Sequence, residues 1–195
     1  MSFPDDRFST RSLVELVHRF YPAGMASYEP GYVTSEESQR RDALRKAALQ
    51  EGSAWEKLRQ GIQETLPDVG LWELPSLLYH PCRTLRVYLP DSPRGADVQE
   101  AVVLLVSVLS PVHTLYASHQ TYVGKRVARS KTWFPPLPPR FRAVEDRLDA
   151  LAQSMFGSVR LPNEVLFTPT PDLHVEHVPG GETQLLHCLF TNNLW

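Results

Sequence analysis

Seventeen prolines punctuate this 195-residue chain, and their positions constrain the fold more than any other feature. Proline makes up roughly 9% of the residues, against an average of about 5%. Four stretches hold none: 31–66, 94–110, 112–134 and 140–161. Proline removes an amide donor and clashes with the preceding helical turn. Regular elements therefore belong inside these stretches, and turns at their edges.

The first third reads as helical. Ser9 or Thr10 caps a helix running to about Tyr21, with Leu13, Leu16, Val17 and Phe20 recurring every three to four residues before Pro22 and Gly24. Thr34 or Ser35, followed by Glu36 and Glu37, starts a second helix expected to reach Gln50 and stop at Gly52. Ser53-Ala-Trp-Glu56 has capping-box spacing and opens a third, burying Trp55, Leu58, Ile62 and Leu66. The expectation is three amphipathic helices.

The period then changes. Arg83–Leu89 alternates, with Leu85, Val87 and Leu89 on one face, as in a half-buried strand. Ala101–Leu109 is a continuous apolar run rich in β-branched residues, closed by Ser110-Pro111. That is the pattern of a central strand covered on both faces. His113–Val123 reads as the next strand. Phe141, Val144, Leu148, Leu151 and Met155 step 3-4-3-4 before Gly157, which predicts a helix over 141–156. Leu173–Val178 and Thr183–Phe190, joined through Pro179-Gly180-Gly181, read as a closing hairpin. The expected class is α+β, with N-terminal helices, a mostly antiparallel sheet and one further helix packed on it. Length favours one domain over 1–195, with a helical portion 1–67 and a sheet portion 68–195.

Other classes are excluded by composition. The longest apolar stretch, Ala101–Val106, is far shorter than the ~18–20 residues of a membrane span. Met1–Arg7 is acidic and polar where a signal peptide is basic and then apolar, so a cytoplasmic location is expected. Cys82 and Cys188 make neither a disulfide framework nor a zinc site.

A formal charge of −2 conceals a division. Between Ala101 and Val144 there is no acidic residue, but there are six cations: Lys125, Arg126, Arg129, Lys131, Arg140 and Arg142. From Leu161 to Trp195 there is no Lys or Arg, while Glu164, Asp172, Glu176 and Glu182 are acidic. Gly124–Phe134 reads as a basic loop whose cations, with Trp133 and Phe134 as stacking surfaces, would suit nucleic acid, and whose charge would also suit an acidic protein patch. The net acidic total argues against nucleic acid and for the simpler account, a solvated connection whose aromatics anchor it to the core; an acidic protein patch fits at least as well as nucleic acid. Pro135-x-x-Pro138-x-Arg140 matches ligands of SH3-like grooves. The simpler account is a stiff spacer in which Pro139 starts the following helix.

Catalytic and metal signatures are sparse. His174-Val-Glu176-His177 is the densest set of ligand types, but a strand would leave only His174 and Glu176 on one face. Zinc usually takes three protein ligands, and His113, His119 or His187 would have to complete the set. Cys82 with His80, or Cys188 with His119, are the nucleophile pairs to consider, with an inert core thiol the simpler state of Cys188. Nucleophile-elbow, phosphate-loop and dinucleotide signatures are absent. No metal or cofactor is expected. Tyr28, Tyr32, Trp72, Tyr79, Trp133 and Trp195 are expected to face solvent, flanked by polar residues, as aromatics that anchor protein interfaces do.

Three segments carry a resemblance: Thr168-Pro-Thr-Pro-Asp-Leu-His174, Pro179-Gly-Gly-Glu182 and Leu185–Trp195. With the α+β order, the chain resembles small cytoplasmic immunity proteins of bacterial polymorphic toxin systems. The likeness covers about the last third. It implies a stoichiometric inhibitor that occludes a cognate toxin without catalysis. Glu164, Asp172, Glu176 and Glu182 would then meet a basic groove, while the basic loop with Trp133, Lys125, Arg126 and Arg129 departs from that expectation and would face elsewhere or meet an acidic rim of the toxin. The alternatives are a small hydrolase or transferase using His174, Glu176 and Cys188, and a nucleic-acid-associated regulator using 124–142.

Overall fold

The computed structural model describes residues 6–194. Met1–Asp5 and the terminal Trp195 lie outside the described residues. Three helices come first: α1 (Thr10–Val17), α2 (Glu36–Gln50) and α3 (Ser53–Thr65). Five strands follow: β1 (Gly70–Leu74), β2 (Cys82–Tyr88), β3 (Val98–Ser107), β4 (Val112–Val123) and β5 (Arg126–Trp133). Then come α4 (Arg142–Phe156), β6 (Val159–Arg160), α5 (Asn163–Leu166) and α6 (Leu185–Leu189). The fold is α+β.

The sheet order is β1-β2-β3-β4-β5, each neighbour antiparallel, and short β6 lies parallel to the start of β4. The central place of β3 follows from its residues. Val102, Leu104 and Val106 point to one face, Ala101, Val103 and Leu105 to the other, and all are buried. At ~25 cal/mol per Å² of apolar surface, each such leucine contributes about 1.5–3 kcal/mol, so a strand made of them belongs between two layers. On one face α3, α4 and the turn leading into α4 supply Trp55, Leu58, Ile62, Phe141, Val144, Leu148 and Leu151. The opposite face carries α1, α5 and α6 through Leu13, Val17, Val165, Leu166, Leu185, Leu186 and Leu189.

Caps and boundaries follow local chemistry with two exceptions. The Ser9 and Ser35 hydroxyls accept from the amides of Ser12 and Ser38, as expected of N-caps. Gly157 ends α4 at φ +59, in the left-handed conformation glycine adopts without a Cβ penalty. The expected capping box at Ser53 is not formed: Gly52 is the N-cap and no side chain caps α3. Helix α1 closes at Val17, earlier than Tyr21; residues 18–21 continue as turns in which the amides of Arg19, Phe20 and Tyr21 bond back to the carbonyls of Leu16 and Val17.

Helix α2 corrects the expectation of three amphipathic helices, since it buries only Ser38. Arginines hold it to the body instead of an apolar face. Arg40 and Arg41 donate to the carbonyls of Arg19 and Phe20, and Arg45 donates to those of Leu77 and Leu78. Arg83 from β2 binds the carbonyls of Ala48 and Glu51 at its C-terminal end, where the helix dipole favours a cation.

Strand β2 is buried on both faces rather than half-buried, because Thr84, Arg86 and Tyr88 are covered as well as Leu85 and Val87. Strand β1 and the strand character of 126–133 were not expected. The basic segment is no loop: it returns antiparallel along β4 after a two-residue turn in which Gly124 has φ +62. The closing hairpin does not form. Residues 173–182 run through turns, and Leu185–Leu189 is a short helix whose only strand-like tie is a bridge between Pro169 and Gln184. His187, three residues after Gln184, accepts the Gln184 amide and completes a capping box.

Candidate functional site

Strand β5 ends the sheet. Among the described residues no strand pairs with its outer side, and Arg126–Lys131 are all exposed. The register places Arg126 opposite Val123, Arg129 opposite Thr121 and Lys131 opposite His119. Paired residues share a face, so these cations stand with Trp133 on the α4 side. A bulge between Thr121 and Tyr122 absorbs one residue of β5 and bends it. Lys125, Arg126 and Arg129 make no side-chain hydrogen bond or ion pair among the described residues. The result is a row of unneutralised cations beside an open backbone rail.

The inner end of this edge is built differently. Glu100, only 7% exposed, accepts from His119 Nδ1 at 2.7 Å and from Arg140. Trp133 is half-buried: Lys131 and Arg140 lie over its ring at 4.8 and 5.8 Å, and Phe141 and His119 flank it. Its faces are therefore occupied and offer no free stacking platform. Arg140, the basic residue of the proline motif, is engaged by Glu100, and Leu137 is buried in the core. The proline segment is a spacer leading through Pro139 into α4.

Without the hairpin, the four acidic residues form no common face by strand pairing. Asp172 accepts from His18 Nε2 at 2.8 Å. Glu176 stands exposed beside His177, Glu164 lies in α5, and Glu182 follows the exposed Gly180–Gly181 turn. Of the aromatics singled out, Tyr28 and Tyr79 are exposed and Trp72 is half-buried under Arg94. Tyr32 is buried and donates to the His174 carbonyl.

The His174–His177 cluster is not on a strand. His177 adopts φ +65, a conformation costing about 1 kcal/mol or more outside glycine. It and Glu176 border a cleft of about 670 Å3 between α2, the Leu78–Pro81 turn and the C-terminal segment. The same cleft receives Arg41, Arg45, His80 and His187. Among the described residues no group of three or more His, Cys, Asp or Glu is arranged to hold a metal ion. Arg41 and Arg45 escaped sequence reasoning because a pair of arginines one turn apart on a polar helix looks like any solvated face.

The two nucleophile pairs considered are not assembled. Cys188 lies among Tyr21, Leu185 and Leu189, whereas His119 points to the opposite face of the sheet with Glu100. Burial pushes both Cys82 and Cys188 up to about 12, outweighing hydrogen bonds to Thr84 and Thr170. A different hydroxyl–imidazole–carboxylate chain does exist. His113 Nδ1 lies 2.9 Å from Ser158 Oγ, and its Nε2 lies 2.7 Å from Asp149. Ser158 is 2% exposed and donates to the Ala152 carbonyl, so the chain fastens α4 to β4 and presents no nucleophile.

No protein-family model, curated protein or solved structure matches this chain. Among the described residues no helix is long and apolar enough to cross a membrane.

Proposed function

We propose that this chain is a non-enzymatic protein-binding module that takes an acidic, extended segment of its partner along β5. The observation that carries this reading is the open β5 edge, with Lys125, Arg126 and Arg129 unpaired among the described residues. An added strand would satisfy the exposed backbone groups, and its carboxylates would neutralise the cation row. With the resemblance of the C-terminal third, the specific form of this reading is an immunity-type inhibitor of a cognate bacterial toxin. A nucleic-acid partner is less well supported, because Trp133 is already covered by Lys131, Arg140 and Phe141 and Phe134 packs on Tyr116 and Phe167, so neither ring of the basic segment is free for base stacking.

The test is co-expression with the product of the adjacent reading frame. The wild-type chain should form a 1:1 complex with it and relieve its growth arrest. Lys125→Glu, Arg126→Glu and Arg129→Glu combined should lose both effects while melting as the wild type does. Protection by the triple variant, or an adjacent product that neither arrests growth nor binds, overturns the reading. So does tight, salt-dependent retention of a single-stranded oligonucleotide that the triple variant loses.

A further inference from the structure

The cleft bordered by Glu176 and His177 is independent of the β5 edge, and its inner wall has a chemistry of its own. Arg41 lies across two tyrosine rings, 4.5 Å from the centroid of Tyr21 and 5.6 Å from that of Tyr32. One terminal nitrogen, Nη1, donates to the Phe20 carbonyl and the Tyr32 hydroxyl. The side chain is 14% exposed, and its nearest carboxylate oxygen, Asp42 Oδ1, is 3.9 Å away. That same oxygen is bound by Arg45 at 2.8 Å. Arg45 is otherwise occupied by the Leu77 and Leu78 carbonyls. Arg41 is thus a sheltered guanidinium with no carboxylate within hydrogen-bond distance among the described residues. Such a cation is costly to desolvate without an anion.

Two imidazoles complete the wall. His187 Nδ1 accepts the Gln184 amide at 3.1 Å, which places the ring proton on Nε2 as a donor. The His80 ring makes no hydrogen bond among the described residues. Burial and the Arg45 charge hold it below the usual histidine range, so at neutral pH it is an uncharged ring with one N–H to offer. The carboxylates nearby do not compete: Asp42 is bound by Arg45, and Glu176 is 79% exposed at the rim beside His177. The volume of about 670 Å3 lies within the range of small-molecule sites, roughly 300–1,000 Å3. The left-handed His177 marks the rim as a place where backbone strain is retained.

We propose that this cleft binds a small organic anion, its carboxylate or phosphate group seated on Arg41 and hydrogen-bonded by His80 and His187. Arg41 supplies charge in a low-dielectric wall, and its planar fork suits an oxyanion better than an ammonium would.

Titration calorimetry at constant ionic strength tests this with two probes, inorganic phosphate and citrate. The full chain should bind at least one of them with Kd below about 1 mM. Saturation by phosphate alone assigns a phosphate ligand, and saturation by citrate alone a carboxylate. Arg41→Lys keeps the charge and the tyrosine stacking but loses the fork, and should weaken binding about tenfold. His80→Ala removes a ring with no internal partner. It should weaken binding about threefold or more without lowering the melting temperature. No binding of either probe up to about 10 mM, or wild-type affinity in both variants, overturns the proposal.

Discussion

His18 and Asp172 are separated by 154 positions, yet His18 Nε2 lies 2.8 Å from Asp172 Oδ2. The His18 Nδ1 faces the Val14 carbonyl at 2.7 Å, so one ring ties the end of α1 to the C-terminal segment. Burial acts to lower the His18 pKa, but the Asp172 hydrogen bond, the Val14 carbonyl and the Asp172 charge outweigh it, and the group lies above 6.5. A raised histidine stabilises fully below its unfolded pKa and loses that contribution as pH rises through the folded value. The His18 hydrogen bond, chiefly, holds Asp172 below 3.8, so its contribution is lost only as pH falls through that lower range. Stability from this pair should therefore decline from about pH 6.5 upward, by the ~0.5 kcal/mol of a solvent-screened pair. Urea midpoints at about pH 6 and about pH 8 should differ less in Asp172→Asn than in the wild type.

The chain formed by Ser158, His113 and Asp149 should behave as a fastening. His113 is fully buried, so His113→Ala leaves Ser158 and Asp149 without their central partner. The expected cost is about 2–4 kcal/mol, read as a lower urea midpoint. Burial acts to raise the Asp149 pKa, but hydrogen bonds from His113 and Gln153 and the charges of His113 and Arg160 hold it below 3.8. Its stabilisation is thus present above 3.8 and disappears as pH falls through the depressed value. Asp149→Asn should accordingly flatten the acid limb of the stability profile.

Cys82 and Cys188 should be silent in the native state. Both are fully buried with thiols at about 12, and the thiolate is the reactive form. A thiol-disulfide reagent at about pH 8 should leave both unmodified, and in mild urea both should label at the global unfolding rate. Rapid labelling of either one without denaturant would show that the layer of α1 and α6 opens separately.

Legibility in the sequence followed burial. Val102, Leu104 and Val106 announce a core strand, and Phe141, Val144, Leu148 and Leu151 announce α4, because each element carries its own apolar period. Strand β5 carries none. An edge strand exposed on both faces needs no apolar side, so only its pairing with β4 reveals it. Leu185–Phe190 failed for the opposite reason. A short apolar run is the same in a buried strand and a buried helix, and the cap that decides between them uses Gln184, outside the usual Ser, Thr, Asp and Asn. The cations of β5 were legible as a cluster, whereas the acidic residues of the last third looked like a face only while a hairpin was assumed to hold them.

The proline-bounded segments thus determined the class of fold, the central strand and most helix limits, since those depend on local backbone preference and on each segment's own apolar period. Tertiary structure alone decided that Arg41, His80 and His187 line one cleft and that Asp172 serves His18. Those meetings join segments whose sequences carry no trace of one another. They arise because α1 and α6 pack on one face of the sheet, while the Arg45 and Arg83 contacts draw polar α2 against it.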